Sequence, residues 1–140
     1  MNRKYMAASM VRLLMLPSLI FAECLNYEPD SVLLTGKIVR KTFPGRPNYE
    51  NIKTVDEPET YWILIPAKPF CVNGKTEDSE YPDAMEIRQV QLVFLGNEYH
   101  TYKNLVGKRI IVQGQLFPMQ TGHHHTSVLI TVRDMRRDNK

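Results

Sequence analysis

"KRIIVQGQLFPMQTGHHHTSVLITV" (residues 108–132) holds two strand-like runs separated by a short polar loop, and the fold is read outward from it. In "KRIIVQGQLF" (108–117) Ile110, Val112, Gly114 and Leu116 fall on every second position, flanked by Arg109, Gln113 and Gln115, and in "SVLITV" (127–132) Val128, Ile130 and Val132 align in the same way. Apolar residues with period two describe strands buried on one face. Upstream, "NEYHTYKNLVG" (97–107) brings Tyr99, Tyr102, Leu105 and Val106 round at helical spacing, with Asn97 able to start the helix and Gly107 to end it. Three further β runs precede it: "SVLLTGKIV" (31–39), "TYWILI" (60–65) and "MEIRQVQLVFL" (85–95). In the last of these Ile87 is out of phase with Val90, Leu92 and Phe94, so a bulge is expected near Arg88–Gln89.

The order is therefore β-β-β-α-β-β. With glycines inside the first and fourth strands, where a small barrel must bend, this predicts an all-β domain with one short helix: a small five-stranded OB-like barrel. The domain spans 23–132. Residues 133–140, "RDMRRDNK", read as a charged tail. The three long connections, 41–59, 66–84 and 118–126, read as loops.

The first 22 residues have a different character. Arg3, Lys4 and Arg12 precede the uncharged run "LLMLPSLIFA" (13–22), the pattern of a secretory signal peptide cleaved near Ala22, although Ile20 is bulkier than usual three positions before the cut. The run is too short to span a bilayer as a helix, which takes roughly 20 residues, so the mature chain is expected to carry no transmembrane segment. Three of the 18 Lys and Arg lie in this leader and none of the 15 Asp and Glu, so the remainder is formally neutral. A periplasmic or secreted protein without a basic footprint is not expected to bind nucleic acid. The two cysteines, Cys24 and Cys71, both follow the leader, and an even pair in an oxidising compartment reads as one disulfide. A lipid on Cys24 is the alternative, but Glu23 stands where such a signal needs a small residue.

"CLNYEPDSVLLTGKI", "ETYWILIPAKPFCV" and "VGKRIIVQGQLFPMQTGHHHTSVLITV" resemble a family of small exported bacterial proteins known as a domain of unknown function, number 4431. The resemblance implies an envelope location and agrees with the OB-like reading. It implies no catalytic residue.

His123, His124 and His125 are the first candidate site. In extended backbone His123 and His125 share a side and His124 takes the other. That pair could offer two imidazoles to a divalent metal, which would need a third ligand from elsewhere, or the three could be a polar loop that fixes its own turn. "PGRPNYE" (44–50) is the second. Its prolines and glycine hold Arg46, able to grip a carboxylate or phosphate, and Tyr49, able to stack on a ring; an internal Arg46–Glu50 pair is the plainer account. In an OB barrel the loops after the first and fourth strands rise on one side, so Arg46, Tyr49, His123, His124 and His125 are expected to share a rim. Catalysis has little support: Ser31, Ser79 and Ser127 lie in no triad setting, Asp56, Glu57 and Glu59 are not spaced as acid and base, and Trp62 beside Tyr61 reads as packing.

Three functions follow. One is a non-catalytic binding or accessory module for a protein, a saccharide or a small anion, with no cofactor. The second is a metal carrier or metal-dependent enzyme using His123 and His125, and the third is a periplasmic inhibitor or immunity-type protein. Intact-mass measurement of the exported protein is expected to find a chain beginning at or near Glu23, and retention of residues 1–22 would overturn the leader.

Overall fold

The computed structural model describes residues 22–140, so all but the last residue of the expected leader lies outside the described residues. Eight strands follow: β1 (Leu25–Asn26), β2 (Val32–Pro44), β3 (Pro58–Pro66), β4 (Phe70–Asn73), β5 (Ala84–Ile87), β6 (Val90–Val93), β7 (Arg109–Pro118) and β8 (Val128–Arg137). A single helical turn and a half, α1 (Glu98–Tyr102), runs into a 3₁₀ turn at Lys103–Leu105, shorter than the span read from 97–107. The order β2-β3-β6-β8-β7 closes into a barrel, and β1-β4-β5 form a separate three-stranded sheet. The helix sits between the third and fourth barrel strands, and the third and fifth (β6 and β8) run parallel while every other barrel pair is antiparallel. This is the OB-like barrel expected from the sequence.

Closure depends on β2. Its residues Val32–Lys37 pair with β7, and Gly36–Pro44 pair with β3, so one continuous strand serves both neighbours. Gly36 lies where the two ladders overlap, and a Cβ there would run into the Ile65 carbonyl; at Gly114, on β7, a Cβ would meet the Thr131 carbonyl. Both glycines thus permit backbone approaches that no side chain would allow. Inside, Ile38, Leu64, Leu92, Ile110, Leu116 and Ile130 are wholly buried. Each such side chain stabilises the fold by about 1.5–3 kcal/mol relative to exposure. Trp62 closes one end, edge-on to Phe94 at 5.6 Å and to Tyr99 of α1 at 5.0 Å between ring centroids.

Four boundaries differ from the sequence reading. β2 runs on to Pro44 and β3 begins at Pro58, so both ends of the connection read as a loop over 41–59 are strand. The segment read as one strand over 85–95 breaks at Arg88–Gln89, with Ile87 ending β5 in the small sheet and Val90 beginning β6 in the barrel. The 66–84 connection contains β4, whose partners β1 and β5 are too short to announce themselves by periodicity. Finally, β8 runs through the expected charged tail to Arg137, because the register shifts opposite Gln113 and Gly114 and leaves Arg133 unpaired. The extra residue changes the phase and turns Met135 into the core, 4% exposed.

Cys24 and Cys71 are joined, with their Cα atoms 4.7 Å apart. The bond ties the start of the described chain to β4, where Leu25 and Asn26 pair with Val72 and Asn73. Tyr27 follows, buried, its hydroxyl donating to the Pro82 carbonyl at 3.0 Å. The covalent pairing rules out a lipid on Cys24. Reduction is expected to lower stability by up to about 4 kcal/mol on the chain-entropy view of the closed loop. Denaturant titration with and without reductant checks this, and coincident curves would show the bridge to be thermodynamically idle.

Candidate functional site

The loops β2–β3 (residues 45–57) and β7–β8 (residues 119–127) meet. Tyr49 of the first has φ 60, a backbone region uncommon outside glycine, and its ring lies over Gly122, where an added Cβ would come within 3.1 Å of it. The ring also sits edge-on to His123, with centroids 5.4 Å apart and the hydroxyl 3.4 Å from Nε2. Asp56, 5% exposed, organises the first loop by accepting backbone N–H bonds from Asn48 at 2.7 Å and from Glu50 and Asn51 at 2.8 Å. The Asn51 bond is the largest influence on its carboxyl. Together with the other amides it outweighs the opposing effect of burial and holds Asp56 below the ordinary carboxylate range. Arg46 stays exposed and forms no ion pair among the described residues, so neither the pairing with Glu50 nor a place beside the histidines is seen.

The centre of the site is Glu59, at the start of β3. His123 Nδ1 lies 2.9 Å from Oε1 and 3.0 Å from Oε2, the Tyr61 hydroxyl donates to Oε2 at 3.1 Å, and His125 Nε2 stands 3.6 Å from the same oxygen. Burial pushes the Glu59 carboxyl up, but the bonds from His123 and Tyr61, with the His125 imidazole nearby, win and hold it below its usual value. Tyr61 moves the other way, to about 12, through burial and its bond to Glu59. His125 lies flat on Phe43, with centroids 4.3 Å apart and planes 2° from parallel, and tilted against Tyr61 at 5.4 Å.

His124 turns away from this group. Its ring packs edge-on to Phe117, and Nδ1 accepts the backbone N–H groups of Gln120 at 2.9 Å and Thr121 at 3.3 Å. Burial, then the neighbouring His123 and His125 charges, push its pKa down, as befits a ring nitrogen that must stay unprotonated to accept. Gln91 on β6 secures the loop backbone: its side chain accepts from His125 N at 2.8 Å and donates to the His123 carbonyl at 3.0 Å. Thr126 accepts from Gln91 N and donates to the Val128 carbonyl.

The structure therefore brings Tyr49, His123 and His125 together and leaves Arg46 and His124 out. The sequence reading missed Phe43, Glu59, Tyr61 and Gln91. One signal was available: Gln91 is a polar residue inside the apolar run Val90–Leu95, and a buried amide needs partners.

Residues 89–136 match the family model of a domain of unknown function, DUF4431. The chain resembles that family. The matched stretch holds β6, α1, β7, the histidine loop and nearly all of β8, whereas the first two stretches quoted for the resemblance, 24–38 and 59–72, lie outside it. No curated protein matches the chain in sequence. Among solved structures, a small single-stranded DNA-binding protein from Streptomyces coelicolor is similar at 14% identity, over 79% of this chain and 93% of that chain, with a TM-score of 0.42. A likeness of that degree does not bear on what this chain binds.

Asp56→Ala is expected to lower the melting temperature by several degrees at neutral pH, because three amides lose their acceptor. A carboxyl depressed in the folded state contributes stability above its ordinary value of 3.8 and loses it as pH falls through the lower folded value. The difference between variant and wild type should accordingly shrink in that acid window, as scanning calorimetry from neutral pH downward would show.

Proposed function

We propose that the protein is an exported, non-catalytic binding module of the bacterial envelope, which holds its partner on the rim where loops 45–57 and 119–127 meet. The observation that carries this reading is the contact of Tyr49 with His123 and Gly122, which makes two loops far apart in sequence a single surface. Asp56 and Gln91 anchor the backbone of the two loops through hydrogen bonds of their own side chains, and a preorganised surface loses less entropy on binding. The disulfide and the leader-like start support export, and among the described residues no helix is long and apolar enough to cross a membrane.

The rim favours a protein or a saccharide over a small anion. Its imidazoles already face a carboxylate, and Arg46 stands apart, so no cationic group converges on an open position. Ile52 and Val55 stand exposed on the first loop, at 39% and 67%, apolar contacts of a kind that a protein partner would cover. An inhibitor or immunity-type role is the form this takes if the partner is an enzyme. For the metal reading of His123 and His125 the one further candidate ligand is Glu59, which His123 already engages directly at 2.9 Å, and among the described residues no group of three His, Cys, Asp or Glu side chains has the arrangement of a metal site.

A photo-reactive amino acid placed at Val55 of the exported protein is expected to give a discrete adduct in cells, lost when Tyr49→Ala is added. An adduct formed instead from Leu33, 60% exposed on the far part of β2, with none from Val55, would move the binding surface away from the rim.

A further inference from the structure

Ile63, Gln91 and Leu129 form a lateral row across β3, β6 and β8. They alternate with Leu64, Val90, Leu92 and Ile130, which fill the barrel, so the row faces outward; yet its members are 0%, 2% and 0% exposed. The histidine loop lies against this side of the barrel. Its backbone is bracketed by the Gln91 amide, and the His125 ring rests on Phe43 and Tyr61. The outer face of strands β2, β3 and β6 is therefore strapped by residues 121–126. In an OB barrel this is the sheet face, together with the flanking loops, that meets ligands.

One atom of the strap is not satisfied. His125 Nε2 is buried without a hydrogen-bond partner, on a side chain only 11% exposed, and the nearest acceptor is Glu59 Oε2 at 3.6 Å. A buried polar atom left this way calls for an explanation. A neutral imidazole carries a proton on only one nitrogen, whereas the imidazolium carries one on each. Protonation therefore guarantees an N–H on Nε2 and places a positive charge beside a carboxylate whose dielectric surroundings favour the pair.

We propose that His125 facing Glu59 is a proton-operated clasp, which tightens the histidine loop over the outer face of β2, β3 and β6 as the surroundings acidify. The proposal goes beyond the binding reading and stands whether or not the rim has a partner. Around His125 the other charged and titratable groups are accounted for. On β3 they are Glu59 and Tyr61, the phenol pushed up to about 12 and so uncharged throughout. From the loops come His123, with Tyr49 beyond it, and His124, which is occupied by the Gln120 and Thr121 amides. On β2, Lys41 is bonded to Gln89, and Glu86 of β5 and Arg88 of the break after it pair with each other beside the shallow hollow that His125 borders. Among the described residues Glu59 is thus the one carboxylate within 4 Å of the ring, at 3.6 Å. The clasp needs a protonated ring facing a charged Glu59, and it fails in acid strong enough to neutralise that carboxyl, which is held below its usual value.

The test is amide hydrogen exchange of the untagged, disulfide-bonded protein at pH 8 and pH 5.5, corrected for the intrinsic rate, read at residues 121–126. Protection in the wild type is expected to rise about tenfold at the lower pH, an increase that Glu59→Gln abolishes. His125→Phe keeps the ring stack but takes no proton, so it should show protection that does not change between the two conditions. This second variant also covers a failure of Glu59→Gln to fold. Equal protection at both pH values in the wild type, or an increase that survives in His125→Phe, would overturn the clasp.

Discussion

Barrel closure by a single long strand is the constraint on which the remainder of the molecule rests. A five-stranded sheet can close only if one strand finds partners along both edges, and β2 does so by pairing first with β7 and then with β3. Gly36 makes the overlap possible, because the backbone of β3 passes where a side chain would stand. Extending β2 as far as Pro44 has a second effect. It carries Phe43 beyond the barrel wall and sets it opposite Glu59 in the β3 register, so the foundation of the histidine site is laid by the same strand that closes the barrel.

The site that results is organised around an acid, whereas the sequence draws the eye to its histidines. Glu59 accepts from His123 and Tyr61 and faces His125, while Gln91 clamps the loop backbone from the neighbouring strand. Each imidazole has a separate duty. His123 links the carboxylate to Tyr49 and hence to the other loop; His124 caps its own turn; His125 fills the space above Phe43. This division of labour within three consecutive residues is set by the tight turn at Gly122–His123, which the His124 N–H closes on the Thr121 carbonyl.

The small sheet shows how cheaply an irregular region can be secured. Strands of two to four residues are marginal alone. Here the Cys24–Cys71 bond, the buried Tyr27 and the Tyr81 hydroxyl donating to Glu28 at 2.6 Å compensate for that shortness. The same region lends the N-terminal segment a fixed course into β2, so the disulfide acts on the barrel indirectly, through the entry angle of its longest strand.

What the sequence determined by itself was whatever depends on near neighbours along the chain. The period-two runs at 31–39, 108–117 and 127–132, the helical spacing after Asn97 and the interior glycines were enough to read an OB-like barrel, and an even pair of cysteines after a leader-like start was enough to pair them. The opposite orientations of His123 and His124 were legible for the same reason. Tertiary structure alone decided the rest. Glu59 read as one of three neighbouring acids, and nothing local marks it as the residue that two imidazoles and a phenol will face, because that choice depends on β3 pairing with β2 and on where the loop 119–127 comes down. Arg46, the most chemically suggestive residue of its loop, ends exposed and without an ion pair among the described residues, while Asp56 shapes the turn by binding backbone amides. Met135 looked like part of a charged tail until the register shift opposite Gly114 turned it inward. A phase change of that kind arises from the partner strand, so periodicity within β8 could not reveal it.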